Sequence, residues 1–155
     1  MKKLLVVFVC SGNTCRSPMA EFLFRRFLDS EDIDNVEVTS CGIKAAEGAP
    51  MSPEAVKTLA NRGIKGTENF VAKQLTKDIF KKADLIVALS DRIQIDIEEQ
   101  FGENKKILGF GSNLPNTSAV SDPYGQGMFE YEEACSQIEI NMSQVAKYIF
   151  RNLMK

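Results

Sequence analysis

Residues 4–9, L-L-V-V-F-V, are apolar at every position with no polar alternation. A strand with one wet face alternates, so this run predicts a strand covered on both faces, as in the middle of a parallel sheet. The polar stretch Ser11-Gly12-Asn13-Thr14 ends it, and Ser17-Pro18 then opens a segment carrying Met19, Phe22, Leu23 and Phe27 at helical spacing. Serine is a good N-cap and proline suits the first helical position, so the order is strand, short loop, helix.

That order repeats. Residues 36–41 read as a second strand, and Ser52-Pro53-Glu54 caps a helix that runs to about Asn61 and stops at Gly63. Residues 84–89 read as a third strand, 93–101 as a helix and 106–110 as a fourth strand. A long loop with Gly111, Pro115 and Pro123 separates this strand from a final helix at about 128–154. The expectation is one α/β domain over residues 1–155: a doubly wound, four-stranded parallel sheet with helices on both faces and a ligand site at the carboxyl ends of its strands.

Composition narrows the chemistry. The chain has no histidine, which removes Ser-His-Asp triads, Cys-His dyads and every His-ligated metal site. Its 19 basic and 21 acidic side chains leave no surplus of the kind that nucleic acids or anionic membranes attract. Cys10, Cys15, Cys41 and Cys135 lack the paired spacings of zinc sites and the density of a secreted scaffold, so a reducing, cytoplasmic setting is expected. The Met1-Lys2-Lys3 start imitates a signal peptide, but its seven-residue apolar run is too short, and no stretch approaches a membrane span. No metal and no cofactor are called for, and the chain is expected to be a monomer or weak dimer.

The segment from Cys10 to Ser17, C-S-G-N-T-C-R-S, carries the chemistry. A loop leading into a helix N-terminus aims backbone N–H groups and the positive end of the helix dipole at one spot, so Ser11, Gly12, Asn13, Thr14, Cys15 and Arg16 can cradle a phosphate. Gly12 and Asn13 allow close approach or a positive φ, and the Arg16 guanidinium can meet two phosphate oxygens at once. Cys10 at the mouth of this cradle is favoured as thiolate. A thiolate beneath a phosphate monoester suits in-line displacement at phosphorus, giving a phosphocysteine intermediate.

This C-x5-R-S loop resembles that of the low molecular weight protein tyrosine phosphatases, which also have an Asp-Pro-Tyr motif near the carboxyl end, here Asp122-Pro123-Tyr124. The resemblance implies Cys10 as nucleophile, Arg16 as phosphoryl binder, Ser17 as hydrogen-bond donor to the thiolate and Asp122 as general acid and then base. It also implies that Tyr124 walls the cleft and that Asn13 and Ser40 hold the loop in shape. Cys15 would pair reversibly with Cys10 after oxidation, or else serve as a small buried loop thiol. The expected partners are phosphotyrosine-containing proteins, with inorganic phosphate and other oxyanions as inhibitors.

The sequence departs from the family pattern in three places. The loop after the second strand, residues 42–48, has no aromatic residue, Gly125 stands where many members have a second tyrosine, and Phe70 stands where a histidine often supports the loop asparagine. Three rivals share the anion loop. An arsenate reductase would need further cysteines between Cys41 and Cys135, where there are none. A phosphocysteine carrier has no use for Asp122, and a non-catalytic phosphotyrosine-binding module would need neither thiolate nor acid. Cys41 and Cys135 fall on core positions and read as inert.

Overall fold

The structure, a computed structural model, describes residues 3–154. Met1, Lys2 and Lys155, the ends of the expected domain, lie outside the described residues. Among the described residues four strands, β1 (Leu4–Cys10), β2 (Val36–Gly42), β3 (Leu85–Ala88) and β4 (Ile107–Gly109), form one parallel sheet in the order β2-β1-β3-β4. The helices are α1 (Arg16–Ser30), α2 (Pro53–Ala60), α3 (Lys77–Lys82), α4 (Asp91–Phe101) and α5 (Met128–Asn152), with a 3-10 turn at Thr67–Asn69.

The unbroken apolar run has the expected cause. Val6 and Phe8 join a core with Met19, Phe24, Tyr131 and Ile138, under α1 and α5. Val7 and Val9 point the other way, into a second core with Leu75, Ile86, Ile93 and Ile97 beside α4. All four residues are fully buried, and each such side chain stabilises the fold by about 1.5–3 kcal/mol relative to exposure. The sheet order reverses at β1, which has β2 on one side and β3 on the other, so the crevice at its carboxyl end is where such folds bind ligands.

Two local expectations change. Ser17 is not the N-cap: α1 begins two residues earlier than expected, with Cys15 in the cap position, and the Ser17 hydroxyl turns to Cys10 instead. Pro18 therefore sits in the first turn rather than at its first residue, still where a missing N–H leaves no helical bond unmade. Helix α3 is the second change, absent from the sequence-based order.

The end of β2 packs tightly under the Cys10 loop. A Cβ on Gly42 would lie 2.6 Å from the Ser11 carbonyl oxygen and 3.1 Å from the Asn13 nitrogen. Gly42→Ala should therefore push the loop outward and lower stability by about 1–3 kcal/mol in urea unfolding, the usual cost of overpacking. An unchanged midpoint would mean that the loop does not rest on this glycine.

Candidate active site

Strand β1 delivers Cys10 and α1 receives Arg16, so residues 11–15 must turn within a few ångströms. Asn13 makes that turn possible by adopting φ 59°, a left-handed conformation that asparagine tolerates better than most residues. Gly12 keeps an ordinary φ, and a Cβ there would meet only Thr14 Oγ1, at 3.9 Å. The loop carbonyls are spent on neighbours: those of Cys10, Ser11, Thr14 and Cys15 accept from the N–H groups of Ile43, Lys44, Ser52 and Met19 at 2.9–3.2 Å. Among the described residues the N–H groups of Ser11, Gly12, Asn13, Thr14, Cys15 and Arg16 have no protein acceptor. A loop with tied carbonyls, unspent N–H donors and a helix N-terminus is suited to a tetrahedral oxyanion.

Cys10 lies at the base of a cleft of about 430 Å³ also lined by Ser11, Gly12, Thr14, Arg16, Asp122 and Tyr124. Its Sγ is 2.9 Å from Ser17 Oγ and accepts from the Ser17 N–H at 3.4 Å. Arg16 is only 6% exposed; one terminal nitrogen donates to the Val120 carbonyl at 3.0 Å and the other lies 3.7 Å from Asp122 Oδ2. Asp122 itself is half exposed, and its Oδ1 accepts from the Tyr124 N–H at 3.1 Å. The Asp-Pro-Tyr segment is therefore a side-chain-closed turn whose carboxylate also faces the guanidinium. Tyr124 stands out into solvent at the rim.

Behind the loop, Asn13 Nδ2 donates to Ser17 Oγ at 2.8 Å and to Ser40 Oγ at 3.0 Å, while its Oδ1 accepts from the Lys73 N–H at 3.0 Å. Asn13, Ser17 and Ser40 are fully buried. The backbone of Lys73 satisfies the asparagine oxygen, and Phe70 packs in the core with its ring 6.3 Å from that of Phe22. Cys15 also lines the cleft; its Sγ lies 3.2 Å from Tyr131 Oη and donates to Ser52 Oγ at 3.5 Å. Burial and this thiol contact push the Tyr131 hydroxyl well above the usual phenol range.

The structure thus gathers Cys10, Arg16, Asp122, Tyr124, Asn13, Ser17 and Ser40 at one place. Sequence reasoning missed Glu21, buried behind the loop with Oε1 accepting from Ser40 Oγ at 2.7 Å and Oε2 held by Arg25 at 2.7 Å. Ser17, Glu21 and Arg25 stand at spacing four on one helix face, a signal that could have found it. It also missed the Val120 carbonyl, a backbone group with no sequence signature.

The family profile for low molecular weight phosphotyrosine protein phosphatase matches residues 5–155. A protein-arginine-phosphatase of Bacillus subtilis (strain 168) is 34% identical over 146 residues, covering 93% of this chain and 95% of that one. A probable low molecular weight protein-tyrosine-phosphatase, EpsP of Ralstonia solanacearum, is 34% identical over 134 residues, covering 86% and 88%. Among solved structures, the YwlE arginine phosphatase, as a cysteine-to-serine mutant with phosphorylated active site serine, superposes with a TM-score of 0.88 at 31% identity, covering 97% of this chain and 99% of that one.

The remaining cysteines offer a contrast. Burial pushes the Cys41 thiol up to about 11 and the Cys135 thiol up to about 12, partly offset by Lys73 and Arg62 respectively. At pH 8 the thiolate fraction at Cys41 is then about one in a thousand and at Cys135 lower still. Peptide mapping after brief iodoacetamide treatment of native protein should find Cys10 modified and Cys41 and Cys135 intact, all four reacting only after denaturation. Early labelling of Cys41 or Cys135 would contradict their placement in the core.

Proposed function

The chain belongs to the low molecular weight phosphotyrosine protein phosphatase family, and from that premise we propose that it hydrolyses phosphoryl groups on proteins through a phosphocysteine formed on Cys10. The observation that carries this reading is the Cys10 sulfur set 2.9 Å from Ser17 Oγ at the base of a loop whose N–H groups are unspent, beside the nearly buried Arg16. The similar arginine phosphatase mutant bears its phosphoryl group on the active site serine, in line with covalent transfer.

The N–H groups of residues 11–16 and the Arg16 guanidinium hold the three terminal phosphate oxygens. The Cys10 thiolate attacks phosphorus in line, forming the S–P bond as the bond to the leaving group breaks. Asp122 gives the leaving group its proton. As a carboxylate, Asp122 then takes a proton from water, whose oxygen attacks phosphorus, breaks the S–P bond and releases inorganic phosphate and the thiolate.

Phosphotyrosine is the substrate expected from the sequence. A second reading, phosphoarginine, is favoured by the cleft walls. Lys44, Ala46 and Ala49 line one side, and Tyr124 is the aromatic residue among the lining groups, so a tyrosine ring finds one ring to stack on. A guanidino leaving group is planar and rich in N–H donors, and it finds acceptors in Asp122 and the Thr14 hydroxyl as well as the Tyr124 face. Hydrolysis of one peptide carrying phosphotyrosine or phosphoarginine separates the two. If phosphoarginine is preferred, Thr14→Val should lower its kcat/KM relative to phosphotyrosine by about tenfold, the worth of one lost hydrogen bond. An unchanged ratio would remove Thr14 from substrate choice.

Mutation tests the chemistry. Cys10→Ser should abolish turnover while phosphate binding persists, and Asp122→Ala should lower kcat by about 10²–10³-fold, most for the most basic leaving groups. A carrier would instead accumulate stable phosphoenzyme, and a binding module would show no vanadate-sensitive hydrolysis.

Redox control is a further part of the proposal. Peroxide oxidises the Cys10 thiolate to sulfenic acid; the Cys15 sulfur attacks it, forming the S–S bond and expelling water, and a thiol reductant reverses the change. Both thiols line one cleft. Peroxide-treated protein should lose two mass units and regain activity with dithiothreitol, whereas Cys15→Ser, lacking the second thiol, should be carried by excess peroxide on to the sulfinic acid, gain mass and stay inactive.

A further inference from the structure

We infer that a second cavity, bordering the catalytic cleft at Ser11 and Lys44, is the subsite for the stretch of substrate protein next to the phosphorylated residue, and that Lys44 takes an acidic side chain there. The inference deepens the phosphatase reading and rests on the Cys10 loop as the phosphoryl site.

The cavity holds about 480 Å³, against about 430 Å³ for the catalytic cleft, a size at which pockets take ligands. Ser11 and Lys44 line both, so the two hollows meet at these residues. That border is fixed to the phosphate loop: the Lys44 N–H donates to the Ser11 carbonyl at 2.9 Å and the Ile43 N–H to the Cys10 carbonyl at 3.0 Å. The far wall is α4, which presents Arg92, Asp96, Glu99 and Gln100. Residues at this spacing share one side of a helix, while Ile93 and Ile97 turn into the core with Val7 and Val9. Helix α4 follows β3, the neighbour of β1 in the sheet, so its first turn stands beside the loop that leaves β1.

A phosphorylated residue in a protein has main chain on both sides. With its phosphoryl group in the Cys10 loop, that chain must leave across the rim, and an extended chain advances about 3.3 Å per residue. One or two residues therefore carry it over Ser11 and Lys44 into the second cavity. The polar lining there suits a backbone whose N–H and C=O groups need partners or water.

Charge decides what the near end of this cavity prefers. Arg92 spends its charge on Asp96, 3.0 Å away. Among the described residues Lys44 and Glu99 form no ion pair. Lys44, exposed, stands at the border, whereas Glu99 lines the second cavity alone and lies seven residues beyond Arg92 along α4, a rise of about 10 Å. The other carboxylates close by are turned elsewhere. Asp122 faces Arg16 across the catalytic cleft, and Glu47 lines neither hollow and accepts from the Gln74 N–H at 2.8 Å. An unspent ammonium next to the phosphoryl site thus meets a carboxylate one or two residues from the phosphorylated one, and Glu99 disfavours one farther along.

The experiment is a positional series: one otherwise neutral peptide, phosphorylated on a central tyrosine or arginine, with a single aspartate moved from three residues before it to three after. The ratio of kcat/KM to that of the peptide without aspartate is measured at about 0.15 M salt, where exposed charges more than about 8 Å apart are largely screened. Wild type should gain about three- to fivefold from aspartate at one or two positions on one side of the phosphorylated residue, as an exposed ion pair gives. Lys44→Ala should abolish the gain. Lys44→Glu should turn it into a loss, with lysine at the same position now preferred. Each ratio compares peptides on one protein, so an effect of the substitution on the phosphoryl step cancels. No gain at any position, an equal gain at every position, or a gain that survives Lys44→Ala overturns the inference. If wild type hydrolyses neither phosphopeptide, the phosphatase reading fails, and binding of the same peptides by fluorescence anisotropy decides the subsite. Tighter binding of the aspartate peptide to wild type but not to Lys44→Ala upholds it, and equal binding overturns it.

Discussion

A negative charge on the Cys10 sulfur would sit at the end of a strand whose four preceding residues are fully buried, in a residue itself only 3% exposed. Water cannot reach behind it, and an unpaired charge in such a place is costly enough that the group would simply stay neutral. The protein must therefore supply fixed donors in place of water. It does so with the hydroxyl and N–H of Ser17 and the first turn of α1, and much of the surrounding architecture keeps those donors in place. Gly42 gives the loop room from below, and the backbone of residues 43, 44 and 52 ties its carbonyls away from the cleft.

The opposite wall is built by a loop with little regular structure, yet it is anchored at defined points. Asn141 of α5, fully buried, donates to the Ser118 carbonyl at 2.8 Å and accepts from its N–H at 3.0 Å. The Val120 N–H donates to the Leu89 carbonyl at 2.9 Å, and the Val120 carbonyl accepts from Arg16. Arg16 thus fastens the loop that carries Asp122 and faces the cleft at the same time. One guanidinium makes the distance between sulfur and carboxylate a property of the fold, because the loop at residues 118–122 is held from both sides.

The sequence revealed most where side-chain chemistry and periodicity agree. Residues 4–9 announce a doubly covered strand because every position is apolar, and the cores on both faces explain why. Ser52 caps its helix with its side chain accepting from Ala55 as expected. The eight-residue loop and Asp-Pro-Tyr show through because reactive side chains at fixed spacing are visible in one dimension. Helix α3 escaped because none of its six residues is buried, so it prints no apolar stripe. Ser17 misled because the same hydroxyl that makes a good cap makes a good partner for sulfur, and tertiary geometry decides between them. Glu21 escaped because the partner that ties it to the loop, Ser40, lies 19 residues away along the chain, and the Lys73 and Val120 contacts because backbone groups carry no residue identity.

The absence of histidine has a consequence for how the site is held. The loop asparagine is fixed by a backbone N–H on one side and two serine hydroxyls on the other, and one of those serines, Ser40, donates in turn to Glu21, a carboxylate paired with Arg25. An imidazole is the side chain whose ordinary titration falls between pH 5 and 8; amides, hydroxyls, guanidinium and backbone do not change charge there. The backbone, hydroxyl and amide contacts that hold the loop asparagine therefore keep their polarity across the neutral range. In the proposed reaction, changes in rate over that range would then belong to the groups that exchange protons with the substrate rather than to the scaffold that aims them.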